Sequence, residues 1–170
     1  NGDGHVQEEA QIVFFGNNYK HHYPMSDFRE HIVTSLARIY PDRFKVYGGN
    51  WDIVSRDMNF KQHEEGSIYR GSKIGINMSH FNYGRYTSDR LFRIMACGTM
   101  CLSHKYANID VDFINGVHLR TWSNIDELTT LIDYYLNHEE ERKQIALNGQ
   151  KLVQENYTWE YRMSKQLKNI

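Results

Sequence analysis

The stretch Arg85-Tyr-Thr-Ser-Asp-Arg-Leu-Phe-Arg-Ile-Met-Ala-Cys-Gly-Thr-Met-Cys-Leu-Ser103 joins a polar loop, the start of a helix and an apolar strand in one short run. Thr87 or Ser88 is expected to cap the helix, which leaves free backbone N–H groups and the positive end of the helix dipole facing the loop. Gly98 is expected to end the helix, and the apolar residues after it are typical of a strand. A junction of this kind predicts a phosphate-binding loop.

Three arginines strengthen this prediction. Arg85, Arg90 and Arg93 bring full positive charges to the loop and the first turns of the helix. A plain surface helix explains the same residues equally well, because Asp89 and Arg93 have the i, i+4 spacing of a helical ion pair. Both interpretations remain open on spacing alone.

Strands and helices alternate on both sides of this run. Strands are predicted at 11–16, 44–49, 73–77 and 117–121, and helices at 26–40, more weakly at 60–69, near 111–114, after Ser123, and at about 139–154 and 158–168. Such alternation predicts an α/β fold with a doubly wound, mainly parallel sheet and helices on both faces. Ligands of such a sheet bind at the carboxyl ends of its strands.

Length and composition narrow the classes of function. The 170 residues predict one domain at 11–170, after a polar stretch at 1–10 that resembles a linker, a truncated end or leftover expression sequence. A net charge of -1 argues against nucleic-acid binding. Only Cys97 and Cys101 occur, which favours buried thiols and a reducing, cytoplasmic compartment. No apolar run approaches the roughly 20 residues of a membrane span.

Several familiar site motifs are missing from the sequence. It has neither a G-x-x-x-x-G-K-[ST] loop nor a G-x-G-x-x-G fingerprint, which argues against nucleoside triphosphatases and dehydrogenases. The first strand ends in Gly16-Asn17-Asn18 rather than in the acidic residues that hold Mg²⁺ in receiver domains. His21 and His22 adjoin in a predicted loop and do not suggest a metal site. We therefore expect neither a metal nor a cofactor.

Five segments carry a resemblance to a known family. They are Ile12-Val-Phe-Phe-Gly16, Tyr47-Gly-Gly49, Ser67-Ile-Tyr-Arg-Gly-Ser-Lys-Ile-Gly-Ile-Asn77, Arg90-Leu-Phe-Arg-Ile-Met-Ala-Cys-Gly98, and the closing segment from Asp126-Glu-Leu to Glu141-Arg-Lys-Gln-Ile-Ala-Leu-Asn-Gly149. Together they resemble the C-terminal, donor-nucleotide-binding half of a GT-B glycosyltransferase. The residues of these segments are most similar to those of group 1 and spore-maturation (CgeB-type) glycosyltransferase-like domains.

The resemblance implies a function and a site. It implies metal-independent transfer of a sugar from a nucleotide sugar, which is a substrate rather than a cofactor, to an unknown acceptor. Cations and helix amides stabilise the departing diphosphate in such a reaction. The expected substrate-binding residues are Gly16, Asn17, Lys20, Gly48, Gly49, Asn77, Arg85, Thr87, Ser88, Arg90 and Arg93.

The chain departs from the family pattern at two of these positions. The family's helix usually reads R-x-F-E, and related group 1 enzymes carry an E-x7-E pair, yet Arg85 and Arg93 stand at the acidic positions here. The second family glutamate commonly holds the ribose hydroxyls. The resemblance therefore implies that the ribose contact is altered in this chain.

Three classes of function follow from the sequence. The first is the donor half of a glycosyltransferase, inactive alone, whose acceptor site and general base belong to a missing N-terminal domain. The second is a non-catalytic nucleotide-binding or assembly module of the same fold, which Arg93 favours. A flavodoxin-like signalling or cofactor domain is the third, supported only by the alternation of strands and helices.

Overall fold

The computed structural model describes residues 10–53, 56–57 and 62–158, and a six-stranded sheet lies at its centre. The strands are β1 (Ile12–Phe15), β2 (Phe44–Tyr47), β3 (Arg56–Asp57), β4 (Ile74–Asn77), β5 (Met100–His104) and β6 (Arg120–Trp122). Their order is β3-β2-β1-β4-β5-β6, and every pairing is parallel. The predicted parallel α/β sheet is confirmed.

In the described part of the chain, five α-helices connect and cover the strands. They are α1 (Ser26–Ile39), α2 (Glu65–Gly71), α3 (Arg90–Ala96), α4 (Ile125–Asn137) and α5 (Glu139–Asn156), with short 3₁₀ turns at Lys20–His22, Gln62–Glu64 and Ile109–Val111. The linker predicted at 1–10 and the closing helix predicted at 158–168 lie outside the described residues except at their inner ends. The weak helix predicted at 60–69 likewise begins outside them.

Alternating side chains of the strands build a core on each face of the sheet. Ile12 and Phe14 pack into the layer that contains the buried residues of α1 and α4. Val13 and Phe15 pack into the opposite layer, with the buried residues of α2 and α3. Because successive side chains of a strand point to opposite faces, four consecutive apolar residues fill both layers.

Two predicted helix caps are wrong. α3 begins one or two residues later than expected, after Asp89, and no side chain caps it. The Ser88 hydroxyl instead donates to Asn77 Oδ1 at 3.0 Å, and Thr87 Oγ1 accepts from Asn77 Nδ2 at 3.1 Å. Asn124, rather than Ser123, caps α4 by accepting from the Glu127 amide at 2.9 Å.

The last strand also starts later than the sequence suggests. β6 begins at Arg120, because Val117 and His118 donate their amides to the carbonyl of Ile114 and form a turn. The predicted strand 117–121 therefore overlaps β6 only at its final two residues. Gly98, by contrast, ends α3 as predicted, with a left-handed φ of 71°.

The order of the strands creates a crevice beside β1. The chain leaves β1 toward α1 on one face of the sheet, whereas it leaves the neighbouring β4 toward α3 on the other face. The two loops therefore diverge at the carboxyl ends of adjacent strands. This point is where open parallel sheets bind their ligands.

Candidate functional site

An open cleft of about 580 Å³ occupies this crevice. The loops after β1, β2 and β4 form its floor and sides, and α2 and α3 add charged side chains. The residues that line it are Phe15, Gly16, Asn17, Tyr19, Tyr23, Tyr47, Gly48, Glu65, His80, Phe81, Arg90 and Arg93.

Hydrogen bonds hold the loops after β1 and β2 close together. The Gly49 amide donates to Asn17 Oδ1 at 2.8 Å, and the Trp51 indole N–H donates to the Gly16 carbonyl at 2.7 Å. A Cβ on Gly48 would lie 2.4 Å from the Gly16 carbonyl oxygen, and the φ of Gly48 is 147°. Glycine is therefore required at position 48 for this close approach.

Two arginines meet beneath the cleft, and backbone carbonyls hold both of them. Arg29, on α1, is 2% exposed and donates to the carbonyls of Met78 at 3.1 Å and Asn17 at 3.3 Å. Arg90, the first residue of α3, donates to the same Met78 carbonyl at 3.0 Å and to the carbonyl of Phe15. The carbonyls thus bring two guanidinium groups from opposite faces of the sheet to the switch point.

Within the described residues, the positive charge of this arginine pair is not balanced by an ion pair. Neither guanidinium forms a salt bridge with a carboxylate in the described part of the chain. Burial, together with the charge of Arg90, lowers the pKa of Arg29 to about 9, and burial also lowers the pKa of Arg90. The ring of Phe14 lies 5.3 Å and 4.7 Å from the two guanidinium carbons. Such a site favours the binding of an anion.

The glycine at the end of β1 lies between the arginine pair and the loop after β2 and also lines the cleft. A Cβ on Gly16 would lie 2.8 Å from Arg90 Nη2 and 3.2 Å from Arg29 Nη2. Both guanidinium groups therefore approach the Gly16 backbone, which lines the cleft. A larger residue at position 16 would crowd both guanidinium groups.

Arg93 lines the same cleft, but two carboxylates already bind its guanidinium group. Its Nη1 donates to Glu65 Oε2 at 2.8 Å, and its Nη2 donates to Asp89 Oδ2 at 2.7 Å. The i, i+4 pair between Asp89 and Arg93 is thus present, together with a second partner on α2. Arg93 therefore adds less uncompensated charge to the cleft than Arg29 and Arg90.

His80 is a neutral imidazole at the side of the cleft. Burial lowers its pKa to about 4, and the positive charges of Arg29 and Arg90 add to the effect. Its Nδ1 is buried without a hydrogen-bond partner in the described chain. The rings of Tyr19 and Tyr23 lie 5.0 Å and 4.8 Å from the imidazole. At neutral pH the side chain adds hydrogen-bonding capacity without charge.

Five of the eleven predicted site residues line the cleft: Gly16, Asn17, Gly48, Arg90 and Arg93. Gly49 supports it through the amide that holds Asn17. Lys20 instead lies 3.1 Å from Asp52 Oδ2 and 3.8 Å from Glu30 Oε1, in exposed ion pairs.

The other four predicted residues lie deeper or farther along the edge. Asn77 is buried and bonds to Thr87, Ser88 and Ser103. The Ser88 amide donates to Ser79 Oγ at 3.0 Å, so this amide is not free for phosphate. Arg85 pairs with Asp112 at 2.6 Å and lines a second cavity together with Thr87.

The residues of the cleft and its floor that sequence reasoning missed include Arg29, Glu65 and His80. The spacing of Arg29 from Ile32, Val33 and Leu36 puts it on the buried face of α1, and a charged residue there is a usable signal. Glu65 and His80 belong to no motif in the sequence. Only the folding of α2 and the loop after β4 brings them to the cleft.

The described residues were also searched for membrane-spanning helices and for metal-binding clusters. None of their helices combines the length and apolar character needed to cross a bilayer. In the same part of the chain, no three His, Cys, Asp or Glu side chains lie together in an arrangement suited to a metal ion. Metal-independent chemistry remains a prediction.

The fold is similar to those of solved glycosyltransferases. HepE from Anabaena, crystallised with UDP-glucose, matches with a TM-score of 0.68 and 14% sequence identity. The match covers 95% of this chain and 49% of the HepE chain. Sucrose-phosphate synthase from Thermosynechococcus elongatus matches with a TM-score of 0.68 and 15% sequence identity. The match covers 95% of this chain and 45% of the synthase chain. The C-terminal domain of the group 1 glycosyl transferase LpcC from Francisella tularensis matches with a TM-score of 0.61 and 16% sequence identity. The match covers 87% of this chain and 86% of the LpcC domain.

These similarities agree with the family found from the sequence. The chain spans about half the length of HepE and of sucrose-phosphate synthase, and its fold corresponds to a C-terminal GT-B domain. No curated protein matches its sequence. A family model described as glycosyl transferase-like matches residues 9–168. The chain therefore belongs to the glycosyl transferase-like family.

Proposed function

We propose that this chain is the donor-binding domain of a glycosyltransferase and that Arg29 and Arg90 bind the diphosphate of a nucleotide sugar. The observation that carries the proposal is the buried arginine pair at the switch point of the sheet, which has no carboxylate partner among the described residues. Gly16 and Gly48 let the backbone approach the same ligand. The UDP-glucose in the HepE crystal structure supports the nucleotide-sugar class.

The proposed chemistry is stabilisation of a leaving group. When a sugar leaves a nucleotide sugar, negative charge develops on the departing diphosphate. Two guanidinium groups, already desolvated and held by carbonyls, stabilise that charge without having to reorganise. We therefore propose that diphosphate binding requires no divalent metal.

We propose further that the complete reaction needs a second domain. The chain covers about half of HepE and of sucrose-phosphate synthase. The acceptor site and the general base are assigned to that other domain. In this proposal residues 11–170 form the nucleotide-sugar-binding domain, residues 1–10 are a linker or leftover expression sequence, and the domain alone binds the donor without transferring sugar.

Calorimetry tests the proposed phosphate site. UDP, GDP and ADP are titrated into the chain with and without a chelator, and the tightest binder is then compared across variants. Arg90→Gln is expected to weaken that diphosphate by about ten- to a hundredfold, because a charge-assisted contact contributes roughly 1.5–3 kcal/mol. Binding of the parent nucleoside is expected to change little. Arg38→Gln, at an exposed arginine of α1, is the matched control.

Two results would contradict this assignment. Loss of affinity on chelation would mean that a metal holds the phosphates. A variant at Arg90 that keeps its affinity but unfolds at a lower temperature would show that the arginine only ties the carbonyls of Phe15 and Met78 together.

A non-catalytic nucleotide-binding module is the second candidate. Its supporting observation is the pairing of Arg93 with Glu65 and Asp89, at a position where the resemblance implies a glutamate. Tight nucleotide binding without transfer, even after a catalytic N-terminal domain is supplied, would favour this candidate.

A further inference from the structure

The hydroxyl of Ser88 lies between an arginine and an asparagine. Arg90 Nη1 donates to Ser88 Oγ at 3.1 Å, and Ser88 Oγ donates to Asn77 Oδ1 at 3.0 Å. A guanidinium group has N–H donors and no acceptor, so the hydroxyl oxygen must accept from Arg90. The single proton of the hydroxyl is then available for Asn77. Chemistry therefore fixes the direction of both hydrogen bonds.

The amide of Asn77 is held in the orientation that this path requires. Asn77 is the last residue of β4 and is 1% exposed. Its Nδ2 donates to Thr87 Oγ1 at 3.1 Å and to Ser103 Oγ at 3.0 Å. Ser103 gives its own proton to the His104 carbonyl at 3.2 Å, so its oxygen is left to accept from the amide nitrogen. The amide oxygen is therefore the atom that faces Ser88.

The hydroxyl of Ser88 is one of three acceptors around the Arg90 guanidinium group. Arg90 Nε donates to the Phe15 carbonyl, and Nη1 donates to the Met78 carbonyl at 3.0 Å as well as to Ser88. Nη2 donates to no acceptor among the described residues, and Arg90 lines the cleft. Because the five N–H groups of a guanidinium lie in one rigid plane, the three bonds fix the direction of the remaining two donors.

We infer that Asn77 is a positioning residue that acts through Ser88 to fix the plane of the Arg90 guanidinium group, and with it the two Nη2 donors offered to an anion. The inference rests on the proposed function, because the anion is taken to be the diphosphate. Neither Asn77 nor Ser88 is among the residues that line the cleft, so both act on the ligand through Arg90.

The first test removes the hydroxyl and then restores it. Calorimetry compares the tightest binder among UDP, GDP and ADP with its parent nucleoside. Ser88→Ala is expected to weaken the diphosphate by about three- to tenfold and to leave the nucleoside nearly unchanged. Ser88→Thr keeps a hydroxyl and is expected to bind the diphosphate within about twofold of the unmodified chain. A loss of stability alone would not change the ratio of the two affinities.

A double-mutant cycle separates positioning from direct contact. In the Arg90→Gln background, Ser88→Ala is expected to have no further effect on diphosphate affinity, because the path ends at Arg90. If Ser88→Ala weakens the diphosphate equally in both backgrounds, the hydroxyl binds phosphate itself and the positioning role is wrong.

Two substitutions then compare the two sides of the amide. Asn77→Leu removes the acceptor of the Ser88 proton and is expected to match the loss of diphosphate affinity in Ser88→Ala. Ser103→Ala removes one bond to the amide nitrogen, leaves Ser88 and Arg90 bonded, and is expected to keep the affinity. If Asn77→Leu does not fold, the variants at Ser88 decide. If Asn77→Leu folds and keeps the ratio of diphosphate to nucleoside affinity, Asn77 is only structural.

The remaining outcomes separate this inference from the proposed function. If Arg90→Gln weakens the diphosphate but Ser88→Ala does not, the inference is wrong and the proposed function stands. If Arg90→Gln has no effect on affinity, or if UDP, GDP and ADP all fail to bind the unmodified chain, the proposed phosphate site and this inference fall together.

Discussion

At the scale of single residues, two buried tyrosines differ in what their hydroxyls contact. The Tyr40 hydroxyl donates to Asp133 Oδ1 at 2.8 Å and thereby joins α1 to α4. The Tyr69 hydroxyl is buried and has no partner in the described part of the chain. An unmade hydrogen bond in a protein interior costs free energy, whereas a made one contributes to stability.

Tyr40→Phe is therefore expected to lower the free energy of unfolding by about 1 kcal/mol, because it removes a formed hydrogen bond. Tyr69→Phe, the matched substitution, is expected to leave the free energy of unfolding unchanged or to raise it slightly. Urea unfolding at equilibrium measures both. A larger loss for Tyr69→Phe than for Tyr40→Phe would mean that the Tyr69 hydroxyl has a partner in solution.

At the scale of elements, the two glycines after β2 predict different responses to the same substitution. Gly48→Ala places a methyl group against the Gly16 carbonyl and forces a φ of 147° on alanine. We expect a loss of about 1–3 kcal/mol in unfolding free energy, together with weaker diphosphate binding, because the loop after β1 must move.

Gly49→Ala provides the control for this loop. A Cβ there would have Asn17 Oδ1 at 3.7 Å as its nearest neighbour, which is an ordinary contact. Its effect on stability is expected to stay within about 0.5 kcal/mol. Equal losses for Gly48→Ala and Gly49→Ala in thermal unfolding would show that the approach of the two loops is not tight.

The elements themselves were largely predictable from the sequence, because their signals are local. The apolar run Ile12–Phe15 and the glycine after α3 are examples, and both form as expected. The caps were not predictable, since the hydroxyls of Thr87 and Ser88 turn to Asn77 on β4. Local sequence does not reveal a hydrogen bond to a residue on another element.

The site was only partly predictable for the same reason. The sequence around Arg90 indicated an anion site. Arg29, which forms the buried arginine pair with Arg90, lies on a helix in a different part of the sequence. The pair of Arg93 with Glu65 joins residues 28 positions apart. Whether the predicted residues bind a nucleotide sugar remains a prediction.

At the scale of the whole molecule, ligand binding is expected to raise the stability of the domain. A nucleoside diphosphate at a hundred times its dissociation constant stabilises the folded state by about 2.7 kcal/mol. For a domain of this size, that corresponds to an increase of about 5–10 °C in the melting temperature. Differential scanning fluorimetry with the tightest of UDP, GDP and ADP measures the shift.

The same measurement has an internal control. At the nucleotide concentration used for the unmodified chain, Arg90→Gln is expected to show a smaller shift, because a roughly ten- to hundredfold weaker affinity leaves a stabilisation of only about 0.4–1.4 kcal/mol. If the parent nucleoside raised the melting temperature as much as the diphosphate does, the phosphates would contribute nothing to binding.

The carbonyls of Asn17, Phe15 and Met78 fix the arginine pair before any ligand arrives. We therefore expect an incoming anion to meet guanidinium donors that are already held in position. Capture is then governed by diffusion and long-range attraction, and it slows as salt is added. Discrimination among anions comes mainly from how long each one stays.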